Sequence, residues 1–126
     1  MSQYADLEIL FRKRDERSYG LNFRYSSPDD EADHLSQIEP VIVLDPTDLK
    51  LIASADYAKT LSSAFFTPEV ETEFARFRSI TQQKSAILRV RLTIDSSVPE
   101  LHAVRWETLR DPALPPEQQN AYLFHS

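Results

Sequence analysis

The chain has 126 residues, 41% of them hydrophobic and 27% charged, which suits one globular domain and leaves no room for a second. It contains no cysteine and a single glycine, Gly20, so disulfide frameworks, thiolate metal sites, cysteine nucleophiles and glycine-rich phosphate loops are all excluded. A net charge of -6 opposes binding to nucleic acid, and the longest aliphatic run, residues 41–44, is far short of the roughly 20 residues that a membrane span requires. With no basic and apolar leader in the first residues, a soluble cytoplasmic protein is the expectation.

In residues 4–12, Ala5, Leu7, Ile9 and Phe11 alternate with Asp6, Glu8 and Arg12, the two-residue period of a strand with one face inward. Residues 20–26 repeat it, with Leu21, Phe23 and Tyr25 opposite Asn22 and Arg24, after the charged loop KRDERSY. The two strands should pair as a hairpin with a longer loop than the favoured two residues. Residues 27–40 are acidic and poor in apolar side chains, and read as an exposed loop.

Residues 41–44 form a short apolar strand, after which Asp45-Pro46 supplies a capping acceptor and a proline at the first helical position. Leu49 and Ile52 give that helix its apolar face, a break falls near residues 54–56, and Tyr57, Leu61, Ala64 and Phe65 give the face of a second. Thr67-Pro68-Glu69 repeats the start signal for a third helix over residues 68–84, striped with Val70, Phe74, Phe77 and Ile80.

Residues 86–95, AILRVRLTID, are the strongest strand. Leu88, Val90, Leu92 and Ile94 face one way, and Arg89, Arg91 and Thr93 the other. Ser97 and Glu100 have capping-box spacing ahead of Leu101, Val104 and Leu109, so a helix or two short turns should run to Arg110. Asp111-Pro112 stops it, residues 112–120 form a proline-rich surface loop, and a further strand opens at Tyr122. The fold class is therefore α/β: an N-terminal β-hairpin, a helical middle, one long strand and the start of another, with helices on at least one face of the sheet.

The stretch LRVRLTID followed by ELHAVRWETLRDP resembles the beginning of the CHAT family, caspase-like domains often found beside tetratricopeptide repeats. The residues carrying the resemblance are Trp106, Glu107, Leu109, Asp111 and Pro112; Arg105 departs from the proline common before the tryptophan. The preceding hairpin and helices are similar to the leader of some bacterial members, so the resemblance extends over residues 1–126. It implies an incomplete caspase-like sheet from a cysteine peptidase clan whose histidine and cysteine dyad lies on later strands. Neither dyad residue can be assigned here, and the chain by itself is expected to be inactive.

Trp106 and Glu107 are read as a packing residue and a local cap or pair, with an interface anchor as the alternative. Arg89 and Arg91 share one strand face, and Asp6 and Glu8 share another. If the strands are neighbours the charges pair, and otherwise the arginines offer an anion-binding or partner-docking surface. His102 lies between Glu100 and Glu107 with no third ligand at diagnostic spacing, His34 follows an acidic run lacking the glycine of a calcium loop, and His125 supports no role. No metal or cofactor is expected, nor an independent serine hydrolase, since no G-x-S-x-G elbow exists.

Three functions remain: a scaffold portion of a CHAT-type peptidase whose partner is the remainder of that domain, a stand-alone interaction module, and an unrelated small regulator. Tyr122, Leu123 and Phe124 are the residues through which a partner protein, or a second copy, would pair.

Overall fold

The structure, a computed structural model, describes residues 4–27, 34–35, 38–94, 96–110 and 123–125. Strands β1 (Tyr4–Lys13) and β2 (Ser18–Ser26) form the expected antiparallel hairpin. Its turn is tighter than the sequence suggested, because β2 begins at Ser18 and not at Gly20. Asp15 accounts for this: its Oδ1 accepts from the backbone amides of Arg17 at 3.0 Å and Ser18 at 2.9 Å, which closes the chain around one carboxylate. Those bonds, the Arg17 amide foremost, hold the Asp15 carboxyl below its ordinary value of 3.8.

The acidic segment is not wholly loop. Strand β3 (His34–Leu35) lies antiparallel to β2 opposite Arg24 and Tyr25, and β4 (Val41–Val43) takes the same edge of β2 opposite residues 18–20. A two-residue ladder is created by the free backbone groups of its neighbour and leaves no hydropathy pattern of its own.

Helix α1 (Pro46–Leu49) starts where proline and Asp45 dictate; Asp45 Oδ1 accepts from the amides of Thr47 at 2.9 Å and Asp48 at 3.4 Å. The break falls at residues 50–53, earlier than the apolar spacing implied, and α2 (Ser54–Phe65) follows. Thr67 caps α3 (Pro68–Gln83) by accepting from the Val70 amide at 3.4 Å. At the far end Ala86 N donates to Thr81 O at 3.1 Å and Ser85 N donates to Gln82 O at 3.0 Å, with Ser85 at φ 53°. This is the left-handed corner usually given to glycine.

Strand β5 (Ile87–Thr93) is shorter than the ten residues read from its pattern and runs parallel to β1; β6 (Leu123–His125) runs parallel to β5. The sheet order is β3-β2-β1-β5-β6, with β4 also on β2, and the fold is α/β. Ala5, Leu7, Ile9 and Phe11 from β1, the tyrosines and apolar residues of β2 from Tyr19 to Tyr25, and Leu88, Val90 and Leu92 from β5 are buried in one core with Leu61, Phe65, Val70, Phe74 and Phe77. Tyr25 stacks on Phe77 at 5.1 Å, and Phe23 meets Phe74 edge-on at 6.0 Å. Thr81 Oγ1 donates to Phe77 O at 2.7 Å, so the Tyr25 hydroxyl donates to Thr81 Oγ1 at 2.8 Å and its burial is compensated.

The segment after β5 forms two 3-10 turns, Pro99–Ala103 and Trp106–Thr108. The capping box is absent. Val98 is the cap and offers no side-chain acceptor, while Glu100 accepts from Lys13 Nζ at 3.3 Å instead. The proline-rich loop at residues 112–120, together with Asp111, Pro112 and Tyr122, lies outside the described residues.

Candidate functional site

Trp106 belongs to the interior. It is 3% exposed, its Nε1 donates to Leu101 O at 2.9 Å, and its ring lies 5.2 Å from Phe11 and 6.1 Å from Phe65. Leu109 is buried with it. Helix α2 holds this turn from outside: the Tyr57 hydroxyl accepts from the Arg105 amide and Ser62 Oγ from the Arg110 amide, each at 2.9 Å. Their positions on the helix, five residues apart, carried no sequence signal for that task. With its ring packed inside, Trp106 presents no surface to a partner, and the interface-anchor reading of it is set aside.

The accessible chemistry lies on the sheet face opposite the helices. Strand alternation puts Tyr4, Asp6, Glu8, Leu10 and Arg12 of β1 there, flanked by Ser26, Arg24, Asn22 and Gly20 of β2 and by Ile87, Arg89, Arg91 and Thr93 of β5. Asp6 and Arg89 are directly opposed, and Arg89 donates through Nε at 2.8 Å and NH2 at 3.1 Å to the two carboxylate oxygens. The Asp6 hydrogen bonds raise the Arg89 pKa, and the guanidinium also stands 4.5 Å from the centre of the Tyr4 ring.

Glu8 is opposed to Arg24 on one side and Arg91 on the other, and it is bound away from Arg91. It accepts from Arg24 NH1 at 3.4 Å and from Thr93 Oγ1 at 3.0 Å. Arg91 is exposed and makes no hydrogen bond or ion pair with any described residue. It borders a depression of about 240 Å³ lined by Asp6, Glu8, Arg24, Ser26 and Arg91. Arg89 and Arg91 therefore part company, one neutralised and one available. Arg24, Glu8 and Thr93, which decide this, were legible only as polar positions on strands.

Toward the hairpin end, Glu39 lies over Gly20 and meets Arg12 Nε at 3.2 Å and Arg14 NH1 at 3.7 Å. A Cβ at position 20 would meet the end of the flexible Glu39 side chain, which would have to swing away to admit it. Beyond it a second, more open groove is lined by residues 15–18 with Val41 and Val43, whose side chains are exposed. Tyr4 and Ile87 are exposed at the other end of the same face.

At the far edge of the sheet, β6 places Leu123 opposite Val90, Phe124 opposite Arg91 and His125 opposite Leu92. Among the described residues no three histidine, aspartate or glutamate side chains converge as metal ligands, and no helix is long and apolar enough to cross a membrane. His102 is exposed. The arrangement can recognise charge and extend a sheet.

No protein-family model matches the chain, and neither curated proteins nor solved structures contain a significant match to it.

Proposed function

We propose that the chain is a non-catalytic scaffold portion of a CHAT-type caspase-like peptidase, joined to the remainder of that domain along β6. The observation that supports this reading is the parallel order β1-β5-β6, in which β6 pairs with β5 through three positions and no other described strand takes its second edge. A parallel strand so short and paired on one side only is marginal, and continuation of the sheet would stabilise it. The absence of cysteine assigns any thiol chemistry to another part of the assembly. The Trp106 turn, buried between β1 and α2, packs the segment up to Arg110 against the core.

The test is the reading frame that follows the codon for Ser126. A frame continuing into strands that end in a histidine and a cysteine is the expected result; an immediate stop codon, with no peptidase partner recovered, overturns the scaffold reading.

One observation favours a second reading, a stand-alone interaction module. Strands β1 and β5 alternate buried apolar residues with outward, mostly charged ones in the manner of a sheet solvated on one side, whereas sheets dominated by parallel strands are normally covered on both faces. Both readings are consistent with a cytoplasmic protein that works through protein contacts. Sedimentation of the intact chain beside one ending at Gln119 tests the shared element: association that disappears on truncation supports β6 as the docking edge, and identical monomers overturn it.

A further inference from the structure

We propose that the open sheet face around Arg91 is a docking surface for a carboxylate-bearing segment of a partner protein, with the Arg91 guanidinium as its anchor. The inference holds under either reading of function, because it concerns a face of the sheet and not the β6 edge.

Charge balance carries it. Among the described residues this face displays Arg12, Arg24, Arg89 and Arg91 against Asp6, Glu8 and the overlying Glu39, a cationic excess of one although the whole chain carries -6. The excess is localised. Asp6 is consumed by two bonds from Arg89, Glu8 by Arg24 and Thr93, and Glu39 by Arg12 and Arg14, leaving Arg91 without a counter-ion among the described residues. An exposed guanidinium held on a strand, beside a depression, presents a rigid fork of donors that a carboxylate fits in bidentate fashion.

The lining also selects against other anions. Asp6 and Glu8 border the same depression beside Arg24 and Arg91, so a phosphate dianion or a polyanionic backbone would meet two carboxylates against two guanidiniums, one of which, Arg24, is already bound to Glu8. A single carboxylate meets a smaller penalty. Ile87 is exposed two positions along β5 from Arg89 and beside Tyr4, so a segment laid along β5 gains apolar contact next to its ionic one. A peptide with one carboxylate beside leucine or valine has both properties.

The test uses a fluorescein-labelled, amidated dodecapeptide carrying one glutamate beside leucines in a serine background, its glutamine-for-glutamate counterpart, and inorganic phosphate as competitor, followed by fluorescence anisotropy. The glutamate peptide binds the intact chain, Arg91→Gln weakens it about tenfold, Arg91→Lys recovers part of the loss, and Lys59→Gln, an equal charge change on α2, leaves binding unchanged. Circular dichroism of each variant confirms folding. No binding to the intact chain, equal binding by Arg91→Gln, or equal binding of the glutamine peptide overturns the proposal. Displacement by millimolar phosphate also overturns it, in favour of a general anion site.

Discussion

Asp6 and Arg89 stand 83 positions apart in the chain and meet in a two-point ion pair on adjacent parallel strands, Nε to Oδ1 at 2.8 Å and NH2 to Oδ2 at 3.1 Å. The pair reports that β1 and β5 are neighbours in the register that sets Asp6 opposite Arg89, because a slip of one residue would put the two side chains on opposite faces. Its side chains are 43% and 46% exposed, so water screens much of the attraction. A double-mutant cycle of Asp6→Asn and Arg89→Gln should give a small favourable coupling in thermal melts that shrinks in 1 M salt. A coupling of zero at low salt would mean that the register is held by the apolar face alone.

Trp106→Ala should destabilise the fold by about 3–5 kcal/mol, through lost apolar burial and the cavity left between Phe11 and Phe65. Denaturant unfolding reads it directly. Trp106→Phe should cost less, retaining ring contacts while leaving Leu101 O without its indole donor. A melt unchanged by the alanine substitution contradicts the buried position.

Ser85 carries a φ of 53° at the corner between α3 and β5, where a Cβ is strained and glycine is not. Ser85→Gly should therefore raise stability by up to about 1 kcal/mol, the relief of strain outweighing the extra freedom of the unfolded chain. Loss of stability in the chemical melt would show that the serine side chain contributes more than its backbone conformation costs.

The Tyr19 hydroxyl is buried beside Glu100, and burial, followed by the charge of Glu100 and a hydrogen bond to it, pushes its pKa up from 10.0 to about 12. A raised folded value means that the folded chain keeps this proton while the unfolded chain releases it. Stability from this group is thus complete below pH 10 and is lost as pH rises through about 12. Tyr19→Phe should flatten that alkaline loss. An alkaline transition that persists unchanged in the phenylalanine variant would assign it to other groups.

Asp15 works in the opposite sense. Its carboxyl is lowered from 3.8 by amide hydrogen bonds in the hairpin turn, so its contribution is present above that value and disappears as pH falls through the folded one. Carbon-detected NMR titration should place the Asp15 midpoint below 3.8, and Asp15→Asn should make the acid limb of stability less steep. A midpoint at or above 3.8 would mean that the turn opens in solution.

Local periodicity and local chemistry decided a large part of this molecule. The alternation in residues 4–12 and 86–95 determined which side chains of β1 and β5 lie inward, because the pleat admits only a two-residue period. Asp45-Pro46 and Thr67-Pro68 set two helix starts, since a capping oxygen and a fixed φ act within one turn of chain. The same locality put the cap at Ser97, whereas the 3-10 turn starts after Val98 and Glu100 meets Lys13, and it concealed β3, whose two residues form a strand only because β2 offers a free edge. The candidate surface was half legible: Asp6, Glu8, Arg89 and Arg91 could be put on polar faces, but which strands adjoin was a long-range question. Only the tertiary structure decided that β1 lies between β2 and β5, that Arg24 and Thr93 therefore reach Glu8 first, and that Arg91 is the guanidinium left over. Face assignment follows from bonds between successive residues, whereas charge pairing depends on distances across strands, and those are set when the apolar sides of β1, β2 and β5 close together over α2 and α3.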